Sequence, residues 1–256
     1  MLRRILPTIT IAIFVFSMAA SVVAHEKGYE VTIPQALVPP KIDGVADDII
    51  WQFAPEVIID NINTGGKVKK DQISTAKAVY DKDNLYVLCI NFVADTKKIQ
   101  TVSPGHDQDV WADEENELFI DIEHDGASPY YHIMINAANV TQDDHNGGAE
   151  GAWEPKLASA AKIHDADKNW VLEVKIPLKD LDVKKSLVGQ TWGWNFNRHI
   201  VSKDGTDIWS GWATTGASFH TPDRFGNLTF GDKAFAVNPQ DKAPTTWGAL
   251  KTLRIQ

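Results

Sequence analysis

Residues 116–122 read NELFIDI, and this stretch decides the fold class. Apolar side chains fall on every second position, so they point to the same side of an extended chain. That side carries Leu118, Ile120 and Ile122, and the opposite side carries Glu117, Phe119 and Asp121. A period of two predicts a β-strand with one face on a hydrophobic core. The second face, with two acids around a phenylalanine, calls for a separate explanation.

Two other stretches repeat the pattern, YYHIMINA at 130–137 and TWGWNFNRHI at 191–200. Each combines an apolar face with a second face of amides and histidine, and the second face of 130–137 also carries a methionine. The second-face residues are His132, Met134, Asn136, Asn195, Asn197 and His199. So many hydrogen-bonding groups on one face suit a small polar ligand, because a binding site needs a few placed polar groups among aromatic ones. We therefore expect a concave, sugar-binding sheet.

Strand-like runs recur along the chain with turn residues between them. The runs are Ala76–Tyr80, Leu85–Val93, Glu115–Ile122, Tyr130–Ala137, Trp170–Ile176, Trp192–Val201 and Gly226–Phe230. Many short strands of this kind predict an all-β fold, a single antiparallel β-sandwich of immunoglobulin or jelly-roll type. A short helical turn is expected near the N-terminus at 47–53, and another single turn at 178–181.

The first 24 residues have the pattern of a signal peptide. Two arginines precede an apolar run at 9–20, and small residues then stand before His25. The apolar run is short of the roughly 20 residues that a membrane-spanning helix needs. We expect export to the periplasm or the medium, with no membrane insertion after cleavage. The predicted organisation is a signal peptide at 1–24, a lead-in at 25–37, the sandwich at 38–230 and a tail at 231–256.

The net charge and the cysteine content argue against several classes of binding partner and against a disulfide-stabilised fold. The formal net charge is −9 over 256 residues, with no basic run, which argues against nucleic acid and anionic membranes as partners. Cys89 is the single cysteine and lies in the apolar run LYVLCINF, so we expect a buried small hydrophobe and no internal disulfide.

Trp111 lies in the acidic stretch DVWADEENE at 109–117. A pyranose packs its apolar face on an indole ring, while its hydroxyl groups need carboxylate or amide partners. An exposed Trp111 beside Asp109, Asp113 and Glu117 fits that requirement. The alternative is a loop tryptophan folded back onto the edge of the sandwich.

Carboxylates also raise two other hypotheses. Glycoside hydrolysis needs two of them across the scissile bond, and Glu117, Asp121 and Glu123 are spaced along one strand, but no nucleophile motif accompanies them. The oxygen-rich loops 107–109 and 143–148 could hold Ca²⁺, although neither matches a calcium-loop pattern and ordinary turns explain them as well.

Five motifs occur in the order found in family 9 carbohydrate-binding modules, which the chain resembles from Val38 to Phe230. They are Ile42-Asp43-Gly44 with Asp48 and Trp51, the run WADEENELFID at 111–121, WVLEVKIP at 170–177, GWNF at 193–196 and RFGNL at 224–228. The resemblance implies a β-sandwich that binds an oligo- or polysaccharide of glucan or xylan type without catalysis. It also links the chain to polysaccharide catabolism, while the sequence identifies no partner enzyme.

The resemblance further implies which residues bind the sugar. Trp111 would be one of two stacking platforms, and Glu117 would bind hydroxyl groups. The second platform is usually a tryptophan shortly before the FGNL motif, where this chain has Phe219 followed by His220. Two positions depart from the family: Met134 stands where an arginine is frequent, and Asn197 where a glutamine is frequent.

Met134 supports an alternative function. The sandwich is similar to a b-type cytochrome domain found in relatives of the haem-binding subunits of molybdenum dehydrogenases, in which a methionine is an axial ligand. Met134 is the only methionine left after signal cleavage, and His132 is near it in sequence. A thioether and a nitrogen base make a reasonable pair of haem-iron ligands. Haem b is therefore the alternative ligand to sugar.

Overall fold

The structure is a computed structural model that describes residues 28–145, 153–183 and 185–235. The predicted signal peptide, residues 25–27 of the lead-in, residues 146–148 of the second acidic loop and most of the predicted tail lie outside these residues. Thirteen strands occur in the described part: β1 (Glu30–Ala36), β2 (Glu56–Ile59), β3 (Asn61–Ile62), β4 (Ser74–Tyr80), β5 (Asn84–Phe92), β6 (Glu115–Asp121), β7 (Tyr131–Asn136), β8 (Thr141–His145), β9 (Ala158–His164), β10 (Asn169–Pro177), β11 (Thr191–Val201), β12 (Asp207–Gly211) and β13 (Gly226–Phe235).

The helices of the described residues are all short 3-10 turns. They are Ile49–Gln52, Lys70–Gln72, Thr96–Lys98, Val110–Ala112, Leu178–Leu181 and Pro222–Arg224. The first lies inside the segment for which we expect a short helical turn, and the fifth coincides with the turn expected at 178–181. Within the described residues, no helix reaches the length and apolarity needed to cross a membrane.

The strands form one continuous, curled sheet, confirming the all-β fold. Its hydrogen-bonded order is β8-β7-β6-β11-β13-β1-β4-β5-β10-β9, while β12 pairs with β11 and β3, and β2 with β4. The expectation of a purely antiparallel arrangement is wrong, because β1 runs parallel to both of its neighbours, β13 and β4. Parallel pairing requires a long connection, and the chain between β1 and β4 runs through β2 and β3, while that between β1 and β13 runs through all the other strands.

One apolar cluster lies between the two halves of the curled sheet. It contains side chains from β6, β7 and β11 and also side chains from β4, β5 and β10. This packing is consistent with a β-sandwich. The apolar face that the sequence predicted for β6, β7 and β11 is confirmed. This core includes Leu118, Ile120, Tyr131, Ile133, Ile135, Trp192, Trp194 and Phe196. Cys89 is buried in it as a free thiol.

All seven predicted strands exist, and six others were not predicted. β1 falls in the segment expected as a lead-in, where Pro34 interrupts the strand pattern and coincides with a register shift between Ile33 and Gln35. β13 continues past Phe230, and its last residues pair with Gln35 and Ala36. The sheet therefore begins before residue 38 and extends beyond residue 230.

Glu173 on β10 joins the first and third family motifs. Its carboxylate accepts hydrogen bonds from the backbone N–H groups of Asp43 and Gly44, each at 3.0 Å, and from Trp51 Nε1 at 3.1 Å. Gly44 has a φ of +73°, and a Cβ there would lie 2.8 Å from Lys162 Cβ, so only glycine fits. The motif residues therefore anchor the N-terminal segment across β10.

Stability should fall as pH rises through neutrality because of Glu173. Burial raises the pKa of Glu173 to about 7, although its three hydrogen bonds oppose the shift. A raised folded-state pKa means that the folded protein holds the proton more tightly, so stability present below pH 4.5 is lost as pH approaches 7 and above. We expect the free energy of unfolding to lose about 1–3 kcal/mol from this group between pH 5 and 8. Urea denaturation at both pH values measures it.

The matched control is Glu173→Gln, which cannot titrate. Other buried groups also contribute to the wild-type pH dependence, so the informative quantity is the difference between the two proteins. An equal change in unfolding free energy between pH 5 and 8 for wild type and Glu173→Gln would contradict the assignment.

Candidate functional site

A cavity of about 760 Å³ lies on the polar face of β6 and β7, between these strands and the loops that follow β12. It is lined by Ile62, Asn63, Thr64, Trp111, Glu117, His132, Met134, Gln142, Asp144, Asp207, Ile208, Trp209, Ala217, Ser218, Phe219 and His220. Six of the seven residues predicted from the sequence are in this lining. The structure thus brings together residues that lie more than 100 positions apart in the chain.

Trp111 stands at the rim of the cavity. It lies on the 3-10 turn Val110–Ala112, and 48% of it remains exposed, whereas Val110 beside it is fully buried. The turn is fastened to β8, because the Val110 backbone N–H donates to Gln142 Oε1 at 2.9 Å. Trp111 is therefore a large exposed apolar surface held on an anchored turn.

The two acids that flank the turn of Trp111 make hydrogen bonds within the protein. Asp109 adopts a left-handed conformation with a φ of 53° and accepts the indole N–H of Trp111 at 3.1 Å. Asp113 is fully buried and accepts hydrogen bonds from the Ser103 backbone N–H at 3.1 Å and from Asn136 Nδ2 at 2.7 Å. The expectation that Asp113 belongs to a polar rim beside Trp111 is wrong, because its carboxylate points into the protein.

Glu117 and His132 form a buried ion pair in the cavity wall. Glu117 Oε2 lies 2.5 Å from His132 Nε2, and His132 Nδ1 lies 3.4 Å from Asp144 Oδ2. Burial alone would lower the pKa of His132, but the hydrogen bonds to Asp144 and Glu117 outweigh it and raise this pKa to about 9. His132 is therefore protonated at neutral pH and holds the Glu117 carboxylate in a fixed position.

Unpaired polar atoms lie under the cavity floor. Glu115 is fully buried, and neither of its carboxyl oxygens has a hydrogen-bond partner among the described residues. Burial raises the pKa of Glu115 well above its usual value, and the nearby Glu117 and Glu114 carboxylates raise it further. Asn197 is also fully buried and lacks partners for both side-chain polar atoms within the described residues.

Asn197 is the predicted site residue that does not line the cavity. It pairs with Glu117 on β6 and with Gly211 on β12, and a Cβ on Gly211 would lie 2.5 Å from Asn197 Oδ1. Gly211 therefore leaves the space that the Asn197 side chain occupies. Asn197 is a neighbour of the site below its wall.

Phe219 and His220 form one side of the cavity. Phe219 is only 5% exposed and packs with Phe119, Tyr130 and Phe225 in an aromatic cluster. His220 Nδ1 forms a hydrogen bond with the Tyr130 hydroxyl at 2.7 Å, and burial followed by the nearby positive His132 lowers the pKa of His220. Phe219 thus shows little of its ring to the cavity, in contrast to the stacking platform that we expected.

A second tryptophan, Trp209 on β12, is half-buried, and the sequence assigned it no role. It lines the cavity and stacks on the His199 ring at a centroid distance of 3.6 Å. His199 Nδ1 also donates to the Trp111 backbone oxygen at 2.8 Å, and its Nε2 lies 2.8 Å from Asp207 Oδ1. His199 therefore contacts the backbone of Trp111 and the indole ring of Trp209 at the same time. In the sequence, the alternation on β11 puts His199 on the functional face and was the available signal.

The acids considered for hydrolysis do not share the cavity. Asp121 is fully buried and accepts the backbone N–H groups of His124 and Gly126 in the turn after β6, at 2.9 and 3.0 Å. Glu123 is exposed on the same turn. Neither residue is in the cavity lining with Glu117. The pair of carboxylates expected across a scissile bond is therefore not formed by these residues.

Comparisons with known proteins support a binding module. The sequence of residues 42–233 matches the family model described as carbohydrate family 9 binding domain-like. Endo-1,4-beta-xylanase A of Thermotoga neapolitana is 26% identical over 193 residues, which is 74% of this chain and 17% of that protein. This chain thus spans less than a fifth of the length of this curated relative.

Solved structures show the same fold at low sequence identity. A family 9 carbohydrate-binding module from Caldicellulosiruptor kristjanssonii, in complex with cellotriose, is 18% identical and covers 82% of this chain and 100% of its own, with a TM-score of 0.61. A putative carbohydrate-binding protein from Bacteroides uniformis is 20% identical and covers 79% of this chain and 99% of its own, with a TM-score of 0.61.

The family match, which spans most of the chain, agrees with the order of the five sequence motifs and with the all-β fold. The chain belongs to the carbohydrate family 9 binding domain-like family.

Proposed function

We propose that the chain binds an oligosaccharide in the cavity between Trp111 and Trp209, without catalysing its hydrolysis. Non-catalytic carbohydrate binding is the function that membership of the family supports. The observation that carries the proposal for this cavity is the combination of exposed indole at its rim with buried, fixed charge in its wall. A sugar ring needs both, because its faces are apolar and its edge is made of hydroxyl groups.

Trp111 and Trp209 are the two stacking platforms in this proposal. Trp209 replaces Phe219 in that role, because Trp209 is half-buried and Phe219 is nearly covered. His199 acts as a positioning residue, since it contacts the Trp111 backbone and the Trp209 ring at the same time. Its two contacts fix the turn that carries Trp111 relative to the Trp209 ring before any ligand binds.

Glu117 is the charged hydroxyl acceptor, with His132 holding it. Pre-positioned groups lose less side-chain entropy when a ligand binds, which favours affinity. The unpaired atoms of Glu115 and Asn197 lie next to Glu117 along β6 and β11, behind the cavity lining, and are suited to interact with buried water. A glucan or xylan fragment is the proposed ligand class. In support, related structures contain cellotriose or glucose and the curated relative is named a xylanase.

Export and a role in polysaccharide catabolism belong to the same proposal. The signal-peptide pattern at 1–24 supports export to a compartment where extracellular polysaccharide fragments occur. An exported sugar-binding domain with a fixed, small cavity suits the capture of such fragments.

Glu117→Gln is expected to lower oligosaccharide affinity by about tenfold and, because it removes the counter-charge of buried His132, to lower the free energy of unfolding as well. Hydrogen bonds to a charged group contribute about 1.5–3 kcal/mol, against about 0.5–1.5 kcal/mol for neutral ones, and tenfold is about 1.4 kcal/mol. Calorimetric titration with cello- and xylo-oligosaccharides measures the change. Glu123→Gln is the matched control, since Glu123 is exposed outside the cavity.

Two outcomes would contradict the proposal. In the first, neither sugar series binds the wild type. In the second, Glu117→Gln binds as tightly as the wild type to a sugar that the wild type recognises. Slow hydrolysis by the wild type that disappears in Glu117→Gln would favour the hydrolase alternative.

Haem b is the second candidate, and the observation that favours it is the position of Met134 in the cavity lining. His132 does not fit the role of nitrogen ligand, because both of its ring nitrogens face carboxylates and its pKa is raised to about 9. Iron needs a neutral imidazole nitrogen with a free lone pair. A Soret band in the purified protein that Met134→Leu abolishes would support haem, whereas a colourless, sugar-binding protein would contradict it.

A further inference from the structure

A second group of potential ligands lies outside the sugar cavity, where the loop before Trp111 meets β8 and the segment before β9. His106, Asp107 and Glu154 each offer one ligand atom, and these atoms lie within 4.8 Å of one another. They come from two segments almost 50 residues apart, so the fold brings them together. An acidic cluster alone would not identify a site, and two further features of this one do.

The first feature is the orientation of His106. Its Nδ1 donates to the Thr141 backbone oxygen at 2.9 Å, which leaves Nε2 directed at Glu154 Oε2, 3.2 Å away, and at Asp107 Oδ2, 3.5 Å away. Metal-bound histidines characteristically donate their other ring N–H to a carbonyl or carboxylate, which fixes the tautomer and the ring. His106 already has that arrangement.

The second feature is Asp143 on β8. It is 98% buried, since only 2% of its surface is exposed, and its Oδ1 has no hydrogen-bond partner among the described residues. Its carboxyl group interacts electrostatically with Asp107, His106 and Glu154. Its backbone N–H donates to Asp107 Oδ1 at 3.2 Å. A buried carboxylate oxygen without a donor, next to two other carboxylates, is costly unless a cation is nearby.

We propose that His106, Asp107 and Glu154 bind one divalent transition-metal ion, with the buried Asp143 carboxylate adding negative charge beside it, and that Zn²⁺ is the ion that fits best. One imidazole nitrogen with carboxylate oxygens is a donor set of the zinc type, and a water molecule can complete the tetrahedral coordination of three protein ligands. Ca²⁺ takes six to eight oxygen ligands and has no use for the imidazole. The two acidic loops that the sequence suggested for calcium are thus brought together, but around a histidine.

The ion would tie two loops together. Asp107 lies in the loop that continues into the turn Val110–Ala112, and Glu154 lies in the segment before β9, so a shared ion cross-links the two. This inference does not depend on the proposed sugar binding, because its ligands are outside the cavity lining.

Calorimetric titration of the untagged protein with ZnCl₂ tests the site. The wild type is expected to show one saturable binding event and a higher melting temperature with Zn²⁺, since an ion that binds only the folded state stabilises it. His106→Ala removes the nitrogen ligand, and Asp107→Asn keeps the left-handed backbone while removing one charge. Each should weaken Zn²⁺ binding by at least about 10–100-fold, the loss expected when even an outer partner of a metal ligand is removed.

His164→Ala is the matched control, because His164 is a partly exposed histidine that contacts the Gly44 backbone oxygen on another part of the sheet. It should bind Zn²⁺ like the wild type. Zn²⁺ affinity that is absent in the wild type, or unchanged in both His106→Ala and Asp107→Asn, would overturn the proposal. So would tight Ca²⁺ binding that His106→Ala leaves intact, since the site would then use oxygen ligands alone.

Discussion

Replacing Glu114 by glutamine is expected to lower the free energy of unfolding by about 3–5 kcal/mol, the loss typical of breaking a buried ion pair. Arg198 is fully buried and Glu114 nearly so. Glu114 Oε1 lies 2.7 Å from Arg198 Nε and 2.6 Å from Nη2, and it also accepts Trp170 Nε1 at 3.0 Å. Neutralising the acid leaves the guanidinium buried without its counter-charge. Chemical denaturation at 25 °C measures the loss.

Glu56→Gln is the control for this prediction. Glu56 forms an exposed ion pair with Lys77 at 3.7 Å, and such pairs contribute about 0–1 kcal/mol. A Glu114→Gln protein that loses no more stability than Glu56→Gln would show that the buried pair with Arg198 contributes no more than an exposed ion pair does.

Trp111→Ala is expected to lower oligosaccharide affinity by about 1–3 kcal/mol, or roughly 5- to 150-fold, with little change in stability. The ring is half exposed in the free protein, so its removal leaves no large hole in the core, while a bound sugar loses a stacking surface. Calorimetric titration and a thermal melt of the same variant separate binding from folding. Phe92→Ala is the control, as Phe92 is an exposed aromatic residue on β5 outside the cavity.

The same experiment distinguishes the two candidates for the second platform. Trp209→Ala should also lose sugar affinity, whereas Phe219→Ala should mainly lose stability, because the Phe219 ring is packed against Phe119. Unchanged sugar affinity in Trp111→Ala would show that Trp111 is not part of the binding site. Lost sugar affinity with unchanged stability in Phe219→Ala would show that Phe219 is the second stacking platform.

Local patterns in the sequence predicted the strands well, because alternation reports directly on which side chains share a face. The core residues of β6, β7 and β11 follow from it. Pairing between distant strands does not, and neither the parallel position of β1 nor the continuation of β13 could be read from periodicity. Pro34 weakened the strand pattern of β1, although the bulge there accommodates a residue without an N–H.

The site was predictable where the residue types were distinctive and their face was clear. Glu117, His132 and Met134 line one cavity because β6 and β7 present them on one side, and Trp111 lies on the turn before β6 at the rim of that cavity. The role of Asp113 could not be predicted. An acid in a charged stretch is expected at the surface, and its burial depends on hydrogen-bond donors that are distant in the sequence. Trp209 was also undecided, because its role depends on contact with His199, a residue from the neighbouring strand.

The most direct test of sugar binding in this cavity is a crystal structure of the mature protein with a cello- or xylo-oligosaccharide. We predict a sugar ring between Trp111 and Trp209, with a hydroxyl group within hydrogen-bonding distance of the Glu117 carboxylate. An oligosaccharide bound at another surface, with the two indole side chains and Glu117 free of ligand, would contradict the account.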